Sequence, residues 1–171
     1  MPNEQLLRFY RGDGVDEVGR RIDDVWRYSV EDLEGVHDYI QWLFPLDERS
    51  AFNPHAPLLD AATLAEFRRD ETLRAQVERS LGVMLEFYGL TLKGDQITRG
   101  PNFAERSSDW LRPGNHNFLR LTRILKSLSL LGHEERAEQL LECLEGVYRE
   151  RPAEVGSNTC GYWRRAVDRE Q

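Results

Sequence analysis

Residues 115–131 read Asn-His-Asn-Phe-Leu-Arg-Leu-Thr-Arg-Ile-Leu-Lys-Ser-Leu-Ser-Leu-Leu, and this stretch decides the fold. Its apolar side chains recur at intervals of three and four, the spacing that stacks them on one side of a helix. At about 100° per residue with Arg120 at zero, Asn117, Phe118, Leu121, Ile124, Leu125, Leu128 and Leu131 span about 20° to 160°. His116, Arg120, Arg123, Lys126 and Ser127 span about 240° to 360°, so the opposite face is basic. Leu119 and Leu130 fall inside that basic arc, which predicts a helix covered on more than one side. Asn115 is its expected N-cap and Gly132 its expected C-terminal break.

The same periodicity extends outward in both directions, and strand-like alternation is nowhere sustained. The fold class expected is therefore all-α, a single globular domain of about seven to nine helices. Helices are predicted over Leu6 to Tyr10, Ile22 to Tyr28, and Ser29 as N-cap to about Leu43. Others are predicted from Asp60 through Arg68, from Asp70 or Thr72 through Tyr88, and over Phe103 to Leu111. Glu134 to Arg149 and Thr159 to Asp168 complete the set. Leu46 to Leu59, carrying Asn53, His55 and three prolines within it or at its edge, reads as an irregular loop pinned by proline. Leu90 to Asn102 reads as a turn-rich connector with room for a small hairpin.

The chain has 171 residues, 31% of them charged and 40% apolar, with a net charge of −7. That composition excludes a collagen-like or low-complexity chain and a generally basic nucleic-acid binder, and no apolar run is long enough to span a bilayer. The first residues lack a basic region followed by an apolar run, so a cytoplasmic protein is expected. Cys143 and Cys160 form no C-x-x-C pair, which disfavours a disulfide framework or zinc site; Cys143 shares a helical face with Leu140 and Val147. His133-Glu134-Glu135 is not a zinc-protease motif, because position 137 is Ala. No phosphate loop, dinucleotide fingerprint or EF-hand pattern occurs, and no cofactor, metal or catalytic set is predicted.

The string His37-Asp38-Tyr39-Ile40-Gln41-Trp42-Leu43-Phe44-Pro45-Leu46, followed by Asn53, His55 and Pro57, resembles the conserved region of the opioid growth factor receptor family. Asn115 to Leu128 is a second match, and Leu85-Glu86-Phe87-Tyr88-Gly89-Leu90 a third. Together they cover about Trp26 to Leu131 in the family's order. The resemblance implies an α-helical domain whose animal relatives are receptors for the opioid pentapeptide met-enkephalin, associated with the nucleus and its membrane, that restrain cell proliferation. Those relatives continue into long C-terminal regions, so this chain is expected to be a short, bacterial or otherwise minimal member. The resemblance carries no defined chemistry.

Two of the matching segments are electrostatic opposites. Between Arg27 and Arg49 there is no basic residue but Glu31, Asp32, Glu34, Asp38, Asp47 and Glu48; between Trp110 and His133 there is no acid but Arg112, Arg120, Arg123 and Lys126. If Ser29 to Leu43 is one helix, placing His37 at zero puts Leu33, Val36, Ile40, Leu43 and Phe44 between about 240° and 340° and Trp42 near 140°. His37 then borders the apolar stripe, and Trp42 points away from it. Two readings stay open. Either the acidic and basic helices are neighbours with a polar seam between them, or both are solvated faces. The seam would hold His37, Gln41, His116 and Arg120, with Arg120 and Arg123 suited to carboxylate or phosphate, and Trp42 either packs on a neighbouring element or lines a site; these six are the candidate ligand-binding residues. The expected function is a non-enzymatic module binding a peptide or protein, with nucleic acid disfavoured by the net charge. The alternative is an enzyme acting on a small anionic metabolite, with His37 or His116 as general base and Arg120 holding the anion.

Overall fold

The computed structural model describes residues 1–168. Its contacts group into two units, Met1–Val83 and Met84–Gln171. Eleven helices and one two-stranded sheet are formed among the described residues.

The first unit begins with α1 (Glu4–Arg11), where Asn3 accepts a hydrogen bond from the Leu6 amide and Gly12 ends the helix at φ 90°. The amide of Asn3 donates to the Thr63 hydroxyl at 2.7 Å, tying the N-terminus to α5 (Ala61–Arg69). Asp60 caps α5 as expected, accepting from the Thr63 amide at 2.7 Å. Asp70 opens α6 (Glu71–Tyr88), accepting from the Thr72 and Leu73 amides. The expected stripe of α6, Leu73, Val77, Leu81, Met84, Leu85 and Tyr88, is buried throughout. Between α1 and α5 lie α2 (Ile22–Trp26), α3 (Val30–Gly35) and α4 (Ile40–Leu43).

The predicted helix from Ser29 to Leu43 is therefore two short helices. Ser29 does cap the first, with Asp32 closing a capping box, but the helix stops at Gly35 and Val36 turns extended at ψ 130°. Tertiary contacts hold this break. The Arg20 guanidinium pairs with the Asp38 carboxylate at 2.8 Å and reaches the Asp38 carbonyl at 3.3 Å. Buried Tyr39 donates its hydroxyl to the Leu33 carbonyl at 2.6 Å, closing the gap between the helices. One regular helix through 36–39 would forfeit these bonds, so the angular positions assigned to His37 and Trp42 on such a helix do not hold.

The second unit contains the hairpin of β1 (Leu90–Lys93) and β2 (Gln96–Arg99), paired antiparallel with Leu90 opposite Arg99. Gly94 leads its two-residue turn at φ 64°, and no other residue of the turn has positive φ, the pattern of a type II′ turn. Four helices follow the hairpin: α7 (Phe103–Trp110), α8 (Asn117–Leu130), α9 (Glu134–Glu150) and, last, α11 (Ser157–Val167), with α10 (Pro152–Val155) an extra short turn between α9 and α11. Helix α8 packs against both α9 and α11, and Leu130, outside the main stripe, is buried, whereas Leu119, expected to be covered as well, stays 58% exposed. Asn115 takes the Asn117 amide at 2.9 Å, and Gly132 reverses the chain at φ 90° so that the His133 amide reaches the Leu128 carbonyl at 2.8 Å. Edge-to-face ring contacts run from Tyr88 to Trp110, Phe118 and Trp163, and Trp163 donates its indole N–H to the Phe118 carbonyl. Cys143 is half-buried rather than fully packed, and burial pushes its thiol up to about 11.

Candidate functional site

In the first unit three irregular segments converge on an open depression of about 780 Å³. The first is the turn Asp16 to Arg20. Buried Asp16 accepts from the amides of Val18 and Arg20, and Gly19 supplies the positive φ the turn needs. This holds Glu17 and Val18 outward. The second is the break after α3, which presents Val36, His37 and Asp38. The third is the 47–58 loop, whose base is closed by a bridge between Leu46 and Leu58 and by the Leu59 amide on the Leu46 carbonyl at 2.9 Å.

Asn53 organises that loop. Its side-chain oxygen accepts from the His55 amide at 3.1 Å, its carbonyl accepts from the Ala56 amide, and its side-chain nitrogen donates to Glu17 Oε1 at 2.8 Å. Ser50 accepts the amides of Phe52 and Asn53. The loop thereby brings Phe52, Asn53 and His55 to the depression, and Phe52 stands 82% exposed at its rim.

Arg20 links two of the three segments. Its Nε donates to Asp16 Oδ2 at 2.6 Å and its Nη1 to Asp38 Oδ1 at 2.8 Å, with the Tyr28 hydroxyl at 3.4 Å. Burial works against the charge of this guanidinium, but the bonds to Tyr28, Asp16 and Asp38 outweigh it and the net shift is upward. All three donor nitrogens are thus engaged, and the depression is lined by carboxylates, imidazoles and an amide with Val18, Val36 and Phe52 between them. No lysine or arginine is among its lining residues within the described part of the chain.

Of the candidate binding residues, His37 is exposed and lines the depression. Gln41 and Trp42 lie on α4 and are buried, at 6% and 2% exposure, with the Trp42 ring edge-on to Phe9. Trp42 is thus part of the core. Gln41 Oε1 and Trp42 Nε1 have no hydrogen-bond partner among the described residues, a cost of about 1–3 kcal/mol for each such group. His116, Arg120 and Arg123 belong to the second unit: His116 is exposed just before α8, Arg123 half-buried, and Arg120 buried with its Nη1 3.5 Å from Asn117 Oδ1. Glu17, Val18 and Phe52 carried no signal of their own, because a turn and a loop have no periodicity to read. Asn53 and His55 stand in the family-like string, but a loop offers no spacing from which their place at the depression could be predicted.

The family model for the opioid growth factor receptor conserved region matches residues 5–171. An opioid growth factor receptor-like protein 1 from Xenopus tropicalis is 39% identical over 142 residues, covering 78% of this chain and 27% of the relative. The opioid growth factor receptors of Mus musculus and Homo sapiens are 39% and 38% identical over 135 residues, covering 75% of this chain and 21% and 20% of theirs. This chain therefore spans about a quarter of the length of the curated relatives it matches. No solved structure matches it. With a family model spanning nearly every residue and relatives well above a third identical, the chain belongs to the opioid growth factor receptor conserved-region family.

Proposed function

We propose that residues 1–171 form one opioid growth factor receptor-like conserved domain that acts as a peptide- or protein-binding module. The observation that carries this reading is the open depression of about 780 Å³, which combines apolar walls with side chains that donate and accept hydrogen bonds. Such a mixture suits an extended peptide, whose side chains seek apolar contact and whose backbone seeks polar contact. The aromatic group it offers is Phe52; the proposed contact residues are His37, Glu17, Asn53 and His55. Gln41 and Trp42 act from within the core, by holding α4 behind the 36–39 break. His116, exposed just before α8, and half-buried Arg123 form a separate candidate contact for carboxylates of a partner, one that Arg120, at 6% exposure, is too buried to join.

The test uses tripeptides with blocked ends and a central Phe, Leu, Glu or Arg, titrated into isotope-labelled protein and followed by amide chemical shifts. Saturable movement of the Glu17, His37, Asn53 and His55 signals by at least one peptide is expected, and Asn53→Ala should weaken it. If none of the four peptides moves these signals, the reading is wrong.

A further inference from the structure

Resting on that reading, we infer that the depression takes an arginine side chain presented by a partner protein. Glu17 is half-buried, and its carboxylate accepts one hydrogen bond at Oε1 from the neutral amide of Asn53. Among the described residues no lysine or arginine lies within ion-pair distance of it. The nearby cation, Arg20, is turned to Asp16 and Asp38, so its single charge faces two carboxylates already. With Glu17 added, three carboxylates share one guanidinium, and the local charge is negative when His37 and His55 are neutral. A cation from outside meets a half-desolvated carboxylate whose own fold supplies no counter-charge, which is where charge complementarity counts most.

The rest of the lining specifies what kind of cation. Phe52, 82% exposed, presents a ring to a planar cation, and Val18, 60% exposed, with Val36 offers apolar contact to a methylene stem. A guanidinium satisfies this set better than an ammonium: its fork matches a carboxylate with two parallel bonds and its plane stacks on an aromatic face. A phosphate or carboxylate ligand would find no charged donor here, and the two carboxylates would repel it.

The experiment titrates Nα-acetyl-arginine methylamide into the labelled protein, with acetyl-norleucine, acetyl-lysine and acetyl-glutamate methylamides and the free-amine alanine methylamide beside it. The arginine compound should shift the Glu17, Asn53 and His55 amides saturably, bind at least about tenfold more tightly than the norleucine compound, and weaken as salt rises. Glu17→Gln keeps an acceptor for Asn53 and removes only the charge, so it should lower arginine affinity about tenfold while the circular dichroism spectrum stays the same. Equal binding of the arginine and norleucine compounds, unchanged affinity in Glu17→Gln, or preference for the glutamate compound or the free amine would each overturn the assignment. In those outcomes a neutral blocked tripeptide that still moves the same amides leaves the binding module standing; silence from every probe removes both.

Discussion

Ser80 shows how single side chains set the interior of the first unit. Tyr10 Oη lies 2.5 Å from the Leu43 carbonyl and 3.0 Å from Ser80 Oγ, and Trp26 donates its indole N–H to Ser80 Oγ at 2.9 Å. A phenol has one hydrogen, given to the carbonyl, so the Ser80 hydroxyl donates to Tyr10 while accepting from Trp26. Burial raises the pKa of Tyr10 well above the ordinary phenol value, and the bond from Ser80 pulls it back only in part, so the phenol stays protonated. Ser80→Ala leaves the indole N–H buried without its acceptor and should cost about 1–3 kcal/mol, read as a lower urea midpoint. Gln41 predicts the opposite sign. Its Oε1 is buried without a partner, so Gln41→Met should leave stability unchanged or raise it by up to about 1 kcal/mol. A clear loss in chemical denaturation would show that the amide is needed where it is.

At the scale of elements, chain reversals and caps carry the argument. Gly89 follows α6 at φ 81°, and a Cβ there would sit 2.7 Å from the Phe103 Cα, a backbone atom that cannot move aside cheaply. Gly82, inside α6, meets nothing within 4 Å. Gly89→Ala should therefore destabilise by more than the roughly 1–2 kcal/mol of left-handed strain, while Gly82→Ala should stabilise by about 0.5–1 kcal/mol through its helix propensity. Both are read from denaturation midpoints. The cap of α5 makes a pH prediction. Asp60 is held below the ordinary carboxylate range, first by the Thr63 amide and then by the Thr63 hydroxyl. A depressed folded value means the charge stabilises the fold above the unfolded value of about 3.9 and ceases to do so as pH falls through the folded one. Asp60→Asn keeps a good cap without charge. The stability gap between the two proteins should be constant near neutrality and shrink below about pH 4; a gap independent of pH down to 2 would contradict this.

The whole chain poses the question of cooperativity, since contacts group into two units while one family model runs from residue 5 to 171. If residues 1–171 act as one domain, calorimetry should give a single transition whose calorimetric and van't Hoff enthalpies agree; two resolved transitions would divide it. Across that chain, what could be read in advance followed a rule. Helices α5, α6, α8 and α9, with the caps Ser29, Asp60 and Asp70, were legible because periodicity and capping are local: the information lies within a few residues of where it acts. The family was legible for a related reason, two long strings in fixed order. The break at 36–39 was not, since Gly35 and Val36 only permit it and Arg20, sixteen or more residues upstream, holds it. The depression was legible only at His37, because its other walls are a turn and a loop whose side chains meet through a bond between Asn53 and Glu17, thirty-six residues apart. By itself the sequence determined a helical chain of this family, with most of its helices and its charge segregation. Only the tertiary structure decided that Trp42 is core, that Phe52 is rim and that Glu17 faces the depression with no lysine or arginine among the described residues within ion-pair distance, because each of those depends on which distant residue arrives beside it.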